Sequence, residues 1–403
     1  MTTTSAGLAH GRSLASFVLL ATLAGIGVGL AKVTTALYAI SLQATPLQLG
    51  LIAAAQTAGL LLTSLPCGVL VERLGPLRLF VLGSLLAGAL FQLVPLVPHP
   101  LYLLALTLLI GLCMPCRFVS LNTVFMQQLA QMGEARAGWF RGSQMIGLLL
   151  IGPTLAALLI DWRGPAGSWS LIGLAFVVPV LLAPRVLRSY PAQRKVAERL
   201  SLGAFGRQLG LLRHDAQLRN NCLLDFCVQA AAMFFAFFIV AITVRDYGWS
   251  AQQAAALLSG HGLAFIVALF FLGRRFGGRG QTSFASSLLL SAAALLALGL
   301  GQQAALLWAG GLLLGISLGM LQITTLSSYA RQGLRLGHGR IAGLAALIGP
   351  AGSMTGCLLG GLLGESFGLQ RLFLLFIPLL LAFLLVPLLR SHFPALSARR
   401  TSP

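Results

Sequence analysis

Nine polar or charged side chains stand inside otherwise apolar stretches: Lys32, Gln56, Arg117, Asn122, Gln144, Asp225, Gln229, His261 and Gln322. An ionisable group in such a setting is expensive, so it either serves a function or finds a structural partner. Asp225 is the one acid within an apolar run rather than at its edge. A carboxyl that is desolvated in one state and meets water or a cation in another can take up and release a proton. Arg117 lies about 24 Å from the far end of its run, at 1.5 Å per residue, and cannot easily snorkel out. It either holds an anionic group, works with Asp225 on a proton, or pairs with a carbonyl or acid. Lys32 is nearer the end of its run and either snorkels or faces an interior cavity. His261, flanked by Gly260 and Gly262, is either a hydrogen-bonded packing residue or a proton relay. Gln229 follows Asp225 by one turn and supports it. The amides of Gln56, Asn122, Gln144, Gln229 and Gln322 either line a cavity or bond a neighbouring helix.

The elements that must position these groups are long and oily. The chain of 403 residues is 57% hydrophobic and 9% charged, with a mean hydropathy of +0.90. A soluble domain carries about 25% charged residues, so this chain reads as an integral membrane protein with many spans. Twelve apolar runs are expected as helices: 14–39, 47–70, 78–97, 101–127, 141–161, 169–187, 219–244, 249–272, 281–300, 304–329, 340–363 and 369–389. Each is long enough to cross a hydrocarbon core of about 30 Å. No alternating pattern points to a membrane barrel. The first run continues past Leu30 through Val33–Ile40 and reads as a span, not a cleaved leader.

The formal charge of +19 falls in short loops, as at the cytoplasmic edge of a membrane, and nucleic acid is not implied. With the N-terminus and every even-numbered loop on one side, that side holds nearly all the arginines, Arg73, Arg78, Arg136, Arg141, Arg274, Arg275 and Arg335 among them. The other side holds only Arg163, Arg245 and Arg371, each with an acid nearby: Asp161, Asp246 and Glu365. Both termini are therefore expected in the cytoplasm of a bacterial-type inner membrane.

The one long polar segment, 188–218, divides the chain into two halves, 1–187 and 219–403. It reads as a surface-lying amphipathic helix or a flexible basic linker. Weak repetition supports the division: Arg274-Arg275-Phe276-Gly277 follows the eighth run as Glu72-Arg73-Leu74-Gly75 follows the second, and Gly349-Pro350 answers Gly152-Pro153. Cys113-Met-Pro-Cys116 has a C-x-x-C spacing but lies in an apolar run with no second pair, so packing is expected rather than metal or redox chemistry. No G-x-x-x-x-G-K-S/T, H-E-x-x-H or G-x-S-x-G motif occurs, which argues against ATP as energy source and against an enzyme, and no cofactor is implied.

The turn between the second and third runs is Gly68-Val69-Leu70-Val71-Glu72-Arg73-Leu74-Gly75-Pro76-Leu77-Arg78. It resembles the loop signature G-x-L-x-D-R-x-G-R-K/R-x of the major facilitator superfamily. Gly68, Leu70, Arg73, Gly75 and Arg78 match, Glu72 replaces Asp, and Pro76 and Leu77 depart. The fifth run, with Gly147, Gly152 and Pro153, resembles the glycine-rich signature of that family's drug/proton antiporters, though its upstream glycine spacing does not fit. Arg117 matches the arginine of the fourth-helix pattern R-x-x-Q-G, whose remainder is replaced by Ser120-Leu121.

The resemblance implies an all-α membrane protein of two pseudo-symmetric six-helix bundles rocking around a midplane cavity. It implies a monomer that moves a small amphipathic or anionic compound, a drug or siderophore-like metabolite, outward against protons. An uptake symporter or facilitator is the alternative. Glu72 would latch the inner side against the start of the eleventh helix, where a carboxylate is favoured. Two stripes of small residues, Ala55, Gly59, Thr63 and Cys67 in the second run and Gly352, Gly356 and Gly360 in the eleventh, are expected to meet across the halves or pack within each half.

Overall fold

The computed structural model describes residues 3–132, 142–188, 210, 212–213, 215–272 and 280–392. Among these there is no strand; the described chain is helical throughout. That follows from the apolar runs: in hydrocarbon every backbone N–H and C=O must be satisfied within the segment, which a helix does alone.

Four helices open the chain: α1 (Thr3–Ser41), α2 (Pro46–Leu74), α3 (Pro76–Leu93) and α4 (Pro100–Met132). The run 142–187 follows, with a π-helical turn at Gly147–Ile151 and the helix Gly152–Leu187. Its backbone leaves the helical region at Gly164 (φ 72°, ψ 170°), a conformation open to glycine because it lacks a Cβ. The parts before and after Gly164 are α5 and α6. Next come α7 (Ala216–Arg245), α8 (Ala251–Val267) with a π turn at Ala268–Leu272, and α9 (Gly280–Leu300). α10 (Ala304–Leu336), α11 (His338–Phe367) and α12 (Phe376–His392, entered by a 3-10 turn at Arg371–Leu375) complete the described chain. Among the described residues nine segments are long and apolar enough to cross a membrane, Gly142–Leu187 counting as one, and Phe284–Leu300 and Arg371–Leu384 are shorter apolar helices. The chain is a multi-pass membrane protein.

Starts of helices are set locally. Thr45 and Gln48 form a capping box at the head of α2, and Ser250 and Gln253 form another at the head of α8. Each pair satisfies two backbone donors that the first turn leaves without partners. Gly75, at φ 82°, turns the chain from α2 into α3. The Arg274–Arg279 repeat and most of 188–218 lie outside the described residues, as do Arg136 and Arg141.

Helices approach closely where small residues face backbone. α5 lies on α1 through Gly147 and Gly152: a Cβ on Gly147 would come 2.9 Å from the Ile26 nitrogen, and one on Gly152 2.6 Å from the Gly29 Cα. On a regular α-helix residues five apart do not share a face. The π turn resolves this, because the Gly152 N–H donates to the Gly147 carbonyl in an i to i+5 bond. One extra residue per turn brings both glycines onto the α1 face.

The two small-residue stripes do not meet each other. Gly59, Thr63 and Cys67 of α2 face α4: a Cβ on Gly59 would strike the Gly111–Leu112 peptide, Thr63 donates to the Leu112 carbonyl at 2.9 Å, and Cys67 Sγ lies 3.4 Å from Cys116 Sγ. Gly352 and Gly356 of α11 lie on the α7 backbone at Phe226 and Ala230. Each stripe serves packing on its own side of the molecule. α2 and α11 meet through other residues, at the end where α2 begins: Gly50 lies against Gly361 and Cys357, and a Cβ on Gly364 would be 3.1 Å from the Pro46 Cβ. Nearby, Arg245 donates to the Ala44 carbonyl at 2.7 Å. At the other end of α2, Gly68 has no atom within 4 Å of where a Cβ would stand.

Candidate functional site

α1, α5, α7, α8, α10 and α11 surround a central cavity of about 270 Å³. Its wall is mostly apolar, with Met145, Met233, Phe265 and Leu318 among its residues, and its polar lining comes from Lys32, Gln229, His261, Gln322 and Ser353. A second cavity of about 150 Å³ lies among α1, α2, α3, α4 and α5 and includes Gln56. Lys32 and Leu148 line both cavities. Lys32 does not snorkel out; its Nζ points inward and has the Met233 sulfur as its hydrogen-bonding neighbour, at 3.6 Å. A thioether is a weak acceptor. Among the described residues no carboxylate lines either cavity.

His261 is buried against Phe235, with ring centroids 4.3 Å apart. Its Nδ1 lies 2.9 Å from the Gly311 carbonyl oxygen. A carbonyl only accepts, so Nδ1 carries the hydrogen. Gln229 and Gln322 are joined across the cavity wall, Nε2 to Oε1 at 3.4 Å.

Asp225 lies one turn from Gln229 on α7, outside the cavity lining and 4% exposed. Tyr329 of α10 donates its hydroxyl to Asp225 Oδ2 at 3.2 Å, and Asp225 Oδ1 is buried with no hydrogen-bond partner. Asn221, one turn before, donates to the Thr325 carbonyl at 3.3 Å. Residues 221, 225 and 229 thus form a polar stripe on α7 that meets α10 at Gln322, Thr325 and Tyr329. Sequence reading missed Tyr329. The signal was present: a four-residue polar spacing in one apolar run, answered by polar residues three and four apart in another.

Arg117 is elsewhere. It is 2% exposed, and its guanidinium carbon stands 4.2 Å from the Phe176 ring centroid and 5.5 Å from that of Phe80. Neither an acid nor a carbonyl receives its Nη atoms. It lines neither cavity, and its neighbours on α3 and α6 are not those of Asp225 on α10. The expected Arg117–Asp225 couple is therefore not assembled. The guanidinium rests against aromatic faces, which attract it, while both Nη atoms stay without an acceptor. Asn122 is exposed and lines neither cavity, although it follows Phe118 by one turn on the same face of α4. Gln144 is 5% exposed where α5 crosses α1 and likewise lines neither cavity.

Glu72, Arg73 and Arg78 are exposed around Gly75. Among the described residues the one ion pair within 4.0 Å joins Arg335 to Asp215, at 3.9 Å; Glu72 takes part in none. Asp215 caps α7 by accepting from the Gln217 and Leu218 N–H groups.

A helical membrane chain with a mostly apolar interior cavity and a few polar groups converging on it has the form of a small-molecule site. Residues 17–337 match the Major Facilitator Superfamily, and the chain belongs to that family of transporters. Comparison with curated proteins finds no match. Solved structures share the fold. Nucleoside transporter NupG is 14% identical with a TM-score of 0.73, covering 92% of this chain and 98% of that one. The human organic anion transporter MFSD10 (TETRAN) is 18% identical with a TM-score of 0.66, covering 92% and 97%. A bacterial homologue of the human lysosomal transporter Spinster, inward-facing and occupied, is 13% identical with a TM-score of 0.68, covering 89% and 82%.

Proposed function

We propose that the protein is a proton-coupled secondary transporter that exports a small amphipathic organic anion by alternating access. The observation that carries the reading is Lys32: a cation inside the central cavity with no carboxylate in its lining. A buried unpaired charge is costly, and an anionic cargo removes that cost on arrival. The fold of the human organic anion transporter MFSD10 is similar to this one, which agrees with the reading without establishing it.

Counting α5 and α6 separately and the two shorter apolar helices as spans gives twelve, in two six-helix bundles, 1–187 and 219–403, joined by 188–218. With both termini in the cytoplasm of an inner membrane, as the arginine distribution favours, the Gly50–Gly361 contact closes the outer side. The cavity then belongs to an inward-facing state, the state in which the Spinster homologue was solved. Asp225 is the proton carrier, held by Tyr329 and linked to the cavity through Gln229. A proton drives the cycle only if the two orientations bind it with different affinity. Substrate meets Lys32, His261, Gln229 and Gln322.

Export is favoured by the Gly147–Gly152–Pro153 segment of α5, which resembles the antiporter signature; uptake by proton symport is the second reading. Transport in inverted vesicles with an imposed proton gradient tests both. Gradient-dependent accumulation of an organic anion supports export. Accumulation only in right-side-out vesicles supports uptake, and no movement of any anion by the reconstituted protein removes the transport reading.

A further inference from the structure

Lys32 stands between two cavities of different size and character. The larger is the path between the halves. The smaller is an annex of about 150 Å³ within the first half of the chain, walled by Val28, Leu60, Phe91, Ile110, Met114 and Phe118. Its threonines offer no donor to an anion: Thr35, Thr57 and Thr107 give their hydroxyl hydrogens to the carbonyls of Ala31, Ala54 and Leu104, at 2.6, 2.9 and 2.9 Å. This leaves Gln56 and Lys32 as the side-chain donors among the annex's lining residues. A mostly apolar space of about 150 Å³ is large enough for a benzene-sized ring.

We infer that this annex is the subsite for the apolar end of the cargo, so that the substrate is a compact aryl or similarly ring-sized monoanion. Its charged end sits on Lys32 and its ring fills the space between Phe91, Ile110 and Met114. The inference rests on the transport reading and narrows its substrate class. The geometry orders the contacts. Lys32 lines both spaces, so a ligand entering from the central cavity pairs its anion with the amine and passes its ring inward. Burying a ring of this size strengthens binding about tenfold to a hundredfold over the same anion without it. A cargo two rings long exceeds the annex.

Equilibrium binding of four probes to the purified full-length protein in nanodiscs tests this: benzoate, acetate, benzyl alcohol and biphenyl-4-carboxylate. Benzoate is expected to bind at least about tenfold more tightly than each of the others. Lys32→Met should abolish the preference of benzoate over benzyl alcohol. Thr57→Phe, which fills the annex, should lower benzoate affinity to that of acetate and leave acetate unchanged; Thr107→Leu does the same by a smaller step should Thr57→Phe not fold. Equal affinity for benzoate and acetate, no binding of benzoate, or benzoate binding indifferent to both annex substitutions would overturn the inference. The measurement needs no gradient and no turnover. Vesicle transport of some other anion alongside absent benzoate binding would sink the annex while sparing the transporter reading, and benzoate binding without transport would do the reverse.

Discussion

Tyr329 and Asp225 face each other across the α7–α10 contact, phenol oxygen to carboxylate oxygen at 3.2 Å, both almost fully enclosed. The pair ties a titratable group to the helix that also carries Gln322 into the cavity. Asp225→Asn preserves shape and the acceptor for Tyr329 while removing the titration. Gradient-driven accumulation should be lost, and substrate exchange across the membrane without a gradient should persist. Comparing the two assays on one preparation checks it; equal loss of both would make Asp225 a folding residue, and unchanged accumulation would remove it from coupling. Tyr329→Phe should weaken accumulation without abolishing exchange.

Arg117 gives the opposite expectation. Its guanidinium is stacked between Phe176 and Phe80 and lines no cavity, so Arg117→Met should leave substrate affinity unchanged. Two buried nitrogens without acceptors cost about 1–3 kcal/mol each, and Met fills similar space, so thermal stability should hold or rise. Arg117→Ala leaves a hole and should lose about 2–5 kcal/mol. A large rise in substrate Kd in Arg117→Met would restore it as an anion site.

The π turn in α5 can be tested by contrast. A Cβ on Gly152 would meet backbone at Gly29, which cannot yield, so Gly152→Ala should destabilise by about 1–3 kcal/mol through overpacking. Gly68→Ala adds its methyl to open space inside a helix, where Ala is favoured over Gly by about 1 kcal/mol, and should hold or raise the unfolding temperature. Thermal unfolding of both variants in the same detergent distinguishes them; an equal response would mean that the α1–α5 contact is not as close as described.

Closure at the Gly50–Gly361 end is open to a cross-link. Pro46→Cys with Gly364→Cys, in a background without the six native cysteines, places two Cβ atoms about as close as a disulfide needs. Oxidation should join α2 to α11 and stop turnover, and reduction should restore it. Full transport by fully cross-linked protein would rule out separation of the helices at this end during the cycle.

Much of the architecture is legible from composition, because a chain with so little charge must satisfy its backbone inside helices, and its arginines mark the loops. Lys32, Gln56, Gln229, His261 and Gln322 are singled out by the same rule and do line the cavities. Arg117, Asn122 and Gln144 obey that rule equally and do not, since polarity within an apolar run says that a partner is needed without saying which. For Arg117 the partners are aromatic faces, which no polar pattern announces. The small-residue stripes were readable as close contacts, yet a stripe carries no address: those of α2 and α11 lie on α4 and α7, not on each other.

The sequence alone determined that this chain is a helical membrane protein of the major facilitator kind, with few interior charges and Asp225 and Lys32 among them. Hydrophobicity and charge placement are properties of the residues themselves and survive without any fold. Only the tertiary structure decided that Lys32 stands between two cavities with no acid to answer it, that Tyr329 holds Asp225, and that a π turn aligns Gly147 with Gly152. Those are relations between helices far apart in the chain, fixed by how side chains of particular size interlock, and no local pattern encodes them.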